Sequence, residues 1–350
     1  MEKGSLKKIK VLIIDDSELI RQVLTEIISS ASDLEVVATA EHPLEARDKI
    51  KQFNPDVLTL DIEMPKMDGI TFLRNLMRLR PMPVVMISTL TSKGAPATLD
   101  ALEIGAVDYI AKPQGGSWDN LAGYAQSIQE KVRNAALANL SAHDRVLSKP
   151  AQKIANGITY DGRRVICIGS STGGTEALRE VLQSVPLNCP PILIAQHIPA
   201  SFSTSLATRL DSHCDITVRE AKSGMPLEAG NAYLAPGDFH LKVFEKNGRL
   251  VTSLFDGDKV NGHKPSVDVL FESVLTHYGK HTVAAILTGM GNDGSKGLKA
   301  ILDSGGNTMV QDEGTSVVWG MPGAAVKLDA AEKILPIKKI SNALLKACEK

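Results

Sequence analysis

Aromatic residues are scarce in this 350-residue chain, at 4%, so its cores must be packed from aliphatic side chains. Its four cysteines, Cys167, Cys189, Cys214 and Cys348, form no CxxC pair and no finger-like spacing. That argues against a disulfide framework or a structural zinc site. No apolar run approaches the ~18 residues that a membrane span requires. The opening MEKGSLKKIKVLIIDD sets basic residues before an apolar stretch, as a secretory signal does. VLII stops at two aspartates, however, well short of an h-region of roughly 7–15 residues. A cytoplasmic chain with no membrane insertion is the expectation. A basic surplus is missing as well: net charge is −1, and residues 157–350 carry 20 Lys+Arg against 20 Asp+Glu. Neutralised phosphates supply much of a nucleic-acid binder's affinity. With no helix-turn-helix pattern either, nucleic acid is not an expected partner.

What is present is 43% apolar and 23% charged, the balance of a globular protein long enough for two domains. Between residues 8 and 130, short apolar runs (KVLII, LEVVATA, DVLTL, PVVMIST, VDYIA) alternate with amphipathic stretches such as SELIRQVLTEIISS and GITFLRNLMRLR. Continuous apolar strands alternating with helices predict a parallel sheet covered on both faces. Five of each in this length predict a flavodoxin-like α/β domain. Residues 131–160, rich in Ala, Ser and Lys, read as a helix tail running into a linker. A second alternation follows over 161–350: RVICIGS, PPILIAQH, ITVREA, NAYLAP, LVTSLF, TVAAILTG, TMVQD and VVWG. It predicts a doubly wound α/β domain with a mainly parallel sheet and some antiparallel additions.

Polar residues at the carboxyl ends of parallel strands converge on one sheet edge. In the first domain these are Asp15 and Asp16, Asp61, Ser88 with Thr89, and Lys112. Three carboxylates beside a lysine suit a hard cation with oxygen ligands, Mg²⁺ above all. Together cation and ammonium would neutralise a phosphoryl group on one carboxylate. Taken singly, Asp15, Asp16 and Ser17 are also good helix N-caps, and Lys112 a good surface charge.

In the second domain, VICIGSSTGGTEALREVL runs from a strand through a small polar corner into a helix. A serine on such a turn is held out from the sheet edge, with neighbouring amides, Thr172 among them, able to face an incoming carbonyl. GxSxG is absent. A serine needs a base, and His197 ends the next strand, ILIAQH. A third strand, VAAILTGMGNDG, ends near Asp293, which would orient the imidazole. Spacing alone leaves Ser170 open beside Ser171. Gly289, Gly291 and Gly294 also form GxGxxG after a strand, with Asp312 at a distance suited to a ribose. Against a dinucleotide site, Asp293 would lie inside the loop meant for the pyrophosphate.

DD after the first strand, DIEMPKMDG after the third, S/T after the fourth and KP after the fifth resemble a response-regulator receiver domain. The resemblance implies that Asp61 accepts a phosphoryl group, with Asp15, Asp16 and the Glu63 carbonyl around Mg²⁺ and Ser88 and Lys112 on the phosphoryl oxygens. IGSSTGGTEAL, QHIP, YLAPGD, HKPSVDVLF, ILTGMGNDG and VVWGMPGAA, in that order, resemble the chemotaxis protein-glutamate methylesterase (CheB) family. That resemblance implies Ser171 as nucleophile, His197 as base, Asp293 as third member, the Met290 amide as oxyanion donor, and no cofactor in this domain. It further implies methyl-accepting chemoreceptors as substrates, deamidation of receptor glutamines as a second activity, and a chemotaxis histidine kinase as phosphodonor. The receiver is then expected to restrain the hydrolase until Asp61 is phosphorylated. The competing class is a receiver-controlled binding protein whose second domain has no catalytic role.

Overall fold

A computed structural model describes residues 7–65, 67–89, 94–112, 121–142 and 158–350. The chain divides into two compact units, Met1–Leu140 and Ser141–Lys350. In the first, strands β1 (Ile9–Ile14), β2 (Leu34–Ala40), β3 (Val57–Asp61), β4 (Val84–Thr89) and β5 (Asp108–Lys112) form one sheet. Its order is β2-β1-β3-β4-β5, with every pairing parallel. This is the flavodoxin-like order expected. Helices α1 (Glu18–Ser29), α2 (Pro43–Phe53), α3 (Gly69–Leu79), α4 (Ala95–Ile104) and α5 (Leu121–Ala136) connect and follow the strands. Val11 to Ile14 and Val57 to Leu60 are buried because the sheet is covered on both faces. Ser17 caps α1 and Asp68 caps α3, the latter accepting from the Thr71 N–H at 2.8 Å. Helix α5 runs to Ala136, inside the stretch read as linker, and residues 143–157 of that stretch lie outside the described residues.

The second unit holds β6 (Val165–Ser170), α6 (Gly174–Leu182), β7 (Ile192–Gln196), α7 (Ala200–His213), β8 (Thr217–Glu220) and β9 (Asn231–Leu234). There follow β10 (His240–Lys246), β11 (Arg249–Phe255), α8 (Val267–Tyr278), β12 (Thr282–Ile286), α9 (Ser295–Asp303), β13 (Asn307–Gln311), α10 (Met321–Lys327), β14 (Lys333–Leu335) and α11 (Ile337–Lys346). The main sheet is β14-β13-β12-β6-β7-β9-β8. All its pairings are parallel, and the antiparallel addition is a separate ribbon of β10 and β11. Two strands, β10 and β14, are absent from the sequence reading. VVWG is not a strand: only Trp319 pairs, as a lone bridge to Gly289. Its apolar pair serves the site loop, with the Val318 carbonyl accepting from the Gly289 N–H at 3.0 Å. The aliphatic core runs through Cys167, Leu193, Ile286 and Val310, with Phe271 of α8 on one face.

In the sheet β6 lies between β12 and β7, and that adjacency positions the site. Ser170 pairs with Gln196 and Gly169 with Ile286. Each strand therefore releases its loop at the same sheet edge.

Candidate functional site

Ser171 follows directly on β6, and its N–H donates to the Thr288 carbonyl at 3.1 Å. His197 follows directly on β7, its N–H donating to the Ser170 carbonyl at 3.1 Å. The Ser-Ser-Thr-Gly-Gly corner turns through Gly173, at φ +75°, a left-handed conformation that suits glycine. The two serines differ in burial. Ser170 is wholly buried and donates to Gln196 Oε1 at 2.6 Å, whereas Ser171 is half-buried.

His197 Nε2 lies 2.9 Å from Asp293 Oδ2. A carboxylate can only accept, so Nε2 carries a proton, and in the neutral imidazole Nδ1 then holds the lone pair. Nδ1 is buried and among the described residues has no hydrogen-bond partner, Ser171 Oγ included. Histidine and aspartate are thus joined, and serine stands one strand over without closing the relay. Catalytic hydrogen bonds often tighten only around bound substrate. Asp293 is 1% exposed yet ionised. Its Oδ2 also accepts from the Val267 N–H at 2.7 Å. Its Oδ1 accepts from Asn261 Nδ2 at 2.8 Å, Ser266 Oγ at 2.9 Å and the Asp268 N–H at 3.3 Å. Burial alone would raise its pKa, but His197, Asn261 and the Val267 N–H hold it well below the usual carboxylate range.

The sequence reading missed these supports. Asn261 sits at φ +51° in a tight turn, and Ser266 also caps α8. Of the quoted HKPSVDVLF motif, Ser266, Val267 and Asp268 hold Asp293. His263 stacks on His197 with ring centroids 3.7 Å apart.

The two candidate oxyanion amides belong to peptides with pinned carbonyls. Ser171 O accepts from the Gly174 N–H at 2.7 Å and Gln196 Nε2 at 2.9 Å. Gly289 O accepts from the N–H groups of Gly320 and Met321 at the start of α10. A trans peptide directs its N–H opposite to its C=O, so the Thr172 and Met290 amides are fixed in direction. A Cβ on Gly289 would lie 2.8 Å from Ser171 Cβ, 3.0 Å from Ser171 N and 2.5 Å from Met321 Sδ. Gly289→Ala is therefore expected to lower kcat at least ~10-fold, because one ångström of misplacement is that costly. Overpacking should also cost about 1–3 kcal/mol, read as a lower melting temperature. A variant with wild-type turnover and stability would show the corner to be pliable. The GxGxxG reading fails here: Asp293 is bound to His197, and Asp312 caps a short 3₁₀ turn by accepting from the Thr315 N–H.

In the first unit, Lys112 Nζ lies 2.8 Å from Asp61 Oδ2 and 3.0 Å from Asp15 Oδ2. Burial and the neighbouring Asp15 charge push the Asp61 carboxyl up to about 6, against the pull of Lys112. Burial works against the charge on Lys112, but Asp61 and Asp15 hold its pKa above the ordinary lysine value. A cavity of about 530 Å³ opens onto Asp61, Asp16, Glu63 and Ser88. The Glu63 N–H bonds the Asp61 carboxylate, and the buried Ser88 hydroxyl accepts from Thr98 Oγ1 at 2.9 Å. Gly69 is required by close approach, since a Cβ there would sit 2.0 Å from the Asp61 carbonyl oxygen. Asp15, Asp16 and Asp61 bring one carboxylate oxygen each within 4.8 Å of one another. Asp15 Oδ2 and Asp61 Oδ2 are buried and unsatisfied apart from their ion-pair contacts with Lys112. This all-oxygen, net-negative donor set fits a hard divalent cation.

Residues 166–344 match the family model described as CheB methylesterase. The chain belongs to that family. Residues 11–117 match the response regulator receiver domain model. A protein of Salmonella choleraesuis named protein-glutamate methylesterase/protein-glutamine glutaminase is 50% identical over 340 residues, covering 97% of each chain. A Saccharophagus degradans protein of the same designation, numbered 2, is 52% identical over 344 residues, 97% of this chain and 99% of that one. Among solved structures, the CheB methylesterase catalytic domain of Thermotoga maritima superposes with a TM-score of 0.51 at 41% identity. It covers 52% of this chain and 97% of its own. Among the described residues, no helix is long and apolar enough to cross a membrane.

Proposed function

We propose that the second unit hydrolyses γ-glutamyl methyl esters on chemoreceptors, and deamidates receptor glutamines, through an acyl-enzyme on Ser171. The observation that carries this reading is Asp293, buried, ionised and bonded to His197 Nε2, with Nδ1 left as a buried lone pair at the serine's edge. Ser171 Oγ attacks the ester carbonyl as His197 Nδ1 takes its proton, and the imidazolium that forms is stabilised at Nε2 by Asp293. The amides of Met290 and Thr172 receive the oxyanion. His197 Nδ1–H then protonates the departing methoxide, giving methanol. Water, activated by the same nitrogen, hydrolyses the acyl-enzyme to glutamate and free serine. With a glutamine side chain the leaving group is ammonia and the remaining steps are the same.

Asp61 is the phospho-acceptor, supplied by a chemotaxis histidine kinase in the cytoplasm, and the unphosphorylated receiver restrains the hydrolase. Asp15, Asp16, Asp61 and the Glu63 carbonyl would hold Mg²⁺, which when bound neutralises charge on the transferring phosphoryl group. Lys112 and Ser88 bind phosphoryl oxygens. The test is methanol release from methylated receptor membranes with and without acetyl phosphate. Wild type should accelerate with the donor and incorporate one phosphoryl group. Asp61→Asn should incorporate none and stay at the unstimulated rate. Labelling of the variant would refute the acceptor assignment, and equal wild-type rates with and without donor would refute restraint.

A further inference from the structure

We infer that Gln196 is a positioning residue for this hydrolase, an inference that rests on the reading of Ser171 as nucleophile. Gln196 is the last residue of a strand that otherwise reads Ile-Leu-Ile-Ala, and it is 3% exposed. A carboxamide so buried is costly unless its hydrogen bonds are made. They are made, and to the site. Its Nε2 donates to the Ser171 carbonyl at 2.9 Å and to the His197 carbonyl at 3.1 Å. Its Oε1 accepts from Ser170 Oγ at 2.6 Å. Flipping the amide would set its oxygen against two carbonyls, so this network admits one orientation.

One planar group thereby ties the backbone of the nucleophile to the backbone of the base, at the point where both chains leave the sheet. Because Ser171 O is held toward Gln196, the N–H of the same trans peptide, that of Thr172, is aimed to the opposite side. Two otherwise unexplained residues converge on this amide. Ser170 fixes its oxygen end. Gly174 makes room for it, since a Cβ there would fall 2.2 Å from Oε1 and 2.8 Å from Ser170 Cβ. Gln196 is buried behind its strand end. It acts by holding two reacting groups and an oxyanion donor in register.

The experiment uses the full chain activated with acetyl phosphate, on methylated receptor membranes. Gln196→Met keeps the length and removes both donors; Gln196→Asn keeps the donors and shortens the reach. Both should lower kcat by about 10- to 100-fold, with KM within about twofold of wild type. Labelling of Ser171 by a fluorophosphonate should slow by a matching factor. Melting temperature is read in parallel, so that a loss of folded protein is separated from a loss of turnover. If Gln196→Met does not fold, Gln196→Asn carries the test. The inference is overturned if kcat of the folded variant stays within twofold of wild type, or if its loss matches the folded fraction. Ser171→Ala is the separate control: turnover surviving there overturns the serine reading itself, whatever the Gln196 variants do.

Discussion

Ser171→Ala should abolish methanol release from methylated receptor membranes, by roughly 10⁴–10⁶-fold in kcat, because it removes the hydroxyl that forms the acyl-enzyme. Among the described residues the Ser171 hydroxyl has no hydrogen-bond partner, so its loss strands no described group and removes a single oxygen. Stability should therefore stay within about 0.5 kcal/mol of wild type. The receiver should still be phosphorylated on Asp61 at the wild-type rate. This combination separates the hydrolase from a receiver-controlled binding module, in which the corner would be structural and its output would survive the change. Ser170→Ala gives the contrast. It removes a buried bond to Gln196 but no nucleophile, and turnover should persist. Full activity in Ser171→Ala, or none in Ser170→Ala, would move the nucleophile one residue upstream.

Much of this site was legible because parallel strands buried on both faces are written as unbroken apolar runs. The first polar residue after such a run marks the sheet edge. Asp15, Asp61, Lys112, Ser171 and His197 all stand at or next to such ends. Asp293 lies farther along its loop, and its role depends on a turn that no periodicity announces. Asn261, Ser266 and the Val267 N–H come from an irregular stretch between the β10–β11 ribbon and α8, where propensity carries no positional information. Gln196 was hidden for another reason: as the first polar letter after Ile-Leu-Ile-Ala it reads as an ordinary strand end beside His197. VVWG misled because β-branched residues suit a strand wherever they pack, and here Val317 packs against Gly173. Strand β14 has three residues, two of them exposed, and leaves no alternation to read.

Asp293→Asn should cost about 10⁴-fold in kcat while leaving Ser171 in place, and the reason is tautomeric. Every group around the carboxylate donates to it: His197, Val267, Asn261, Ser266 and Asp268. An asparagine must turn its NH₂ toward one side of that ring of donors. Turned toward His197, it obliges Nε2 to accept, which moves the imidazole proton to Nδ1 and removes the lone pair that Ser171 needs. Turned the other way, it meets the Asn261 NH₂ and the Asp268 N–H, leaving buried donors opposed at about 1–3 kcal/mol. The pH dependence of stability should change too. A carboxylate whose folded pKa is depressed adds stability that is present above its unfolded value, near 4, and is lost as pH falls through the folded one. Wild type should thus lose melting temperature between about pH 5 and pH 2 more steeply than Asp293→Asn, whose side chain does not titrate. Parallel melting curves across that window, or a kcat for the variant within tenfold of wild type, would show that Asp293 neither sets the tautomer nor carries its charge in the folded chain.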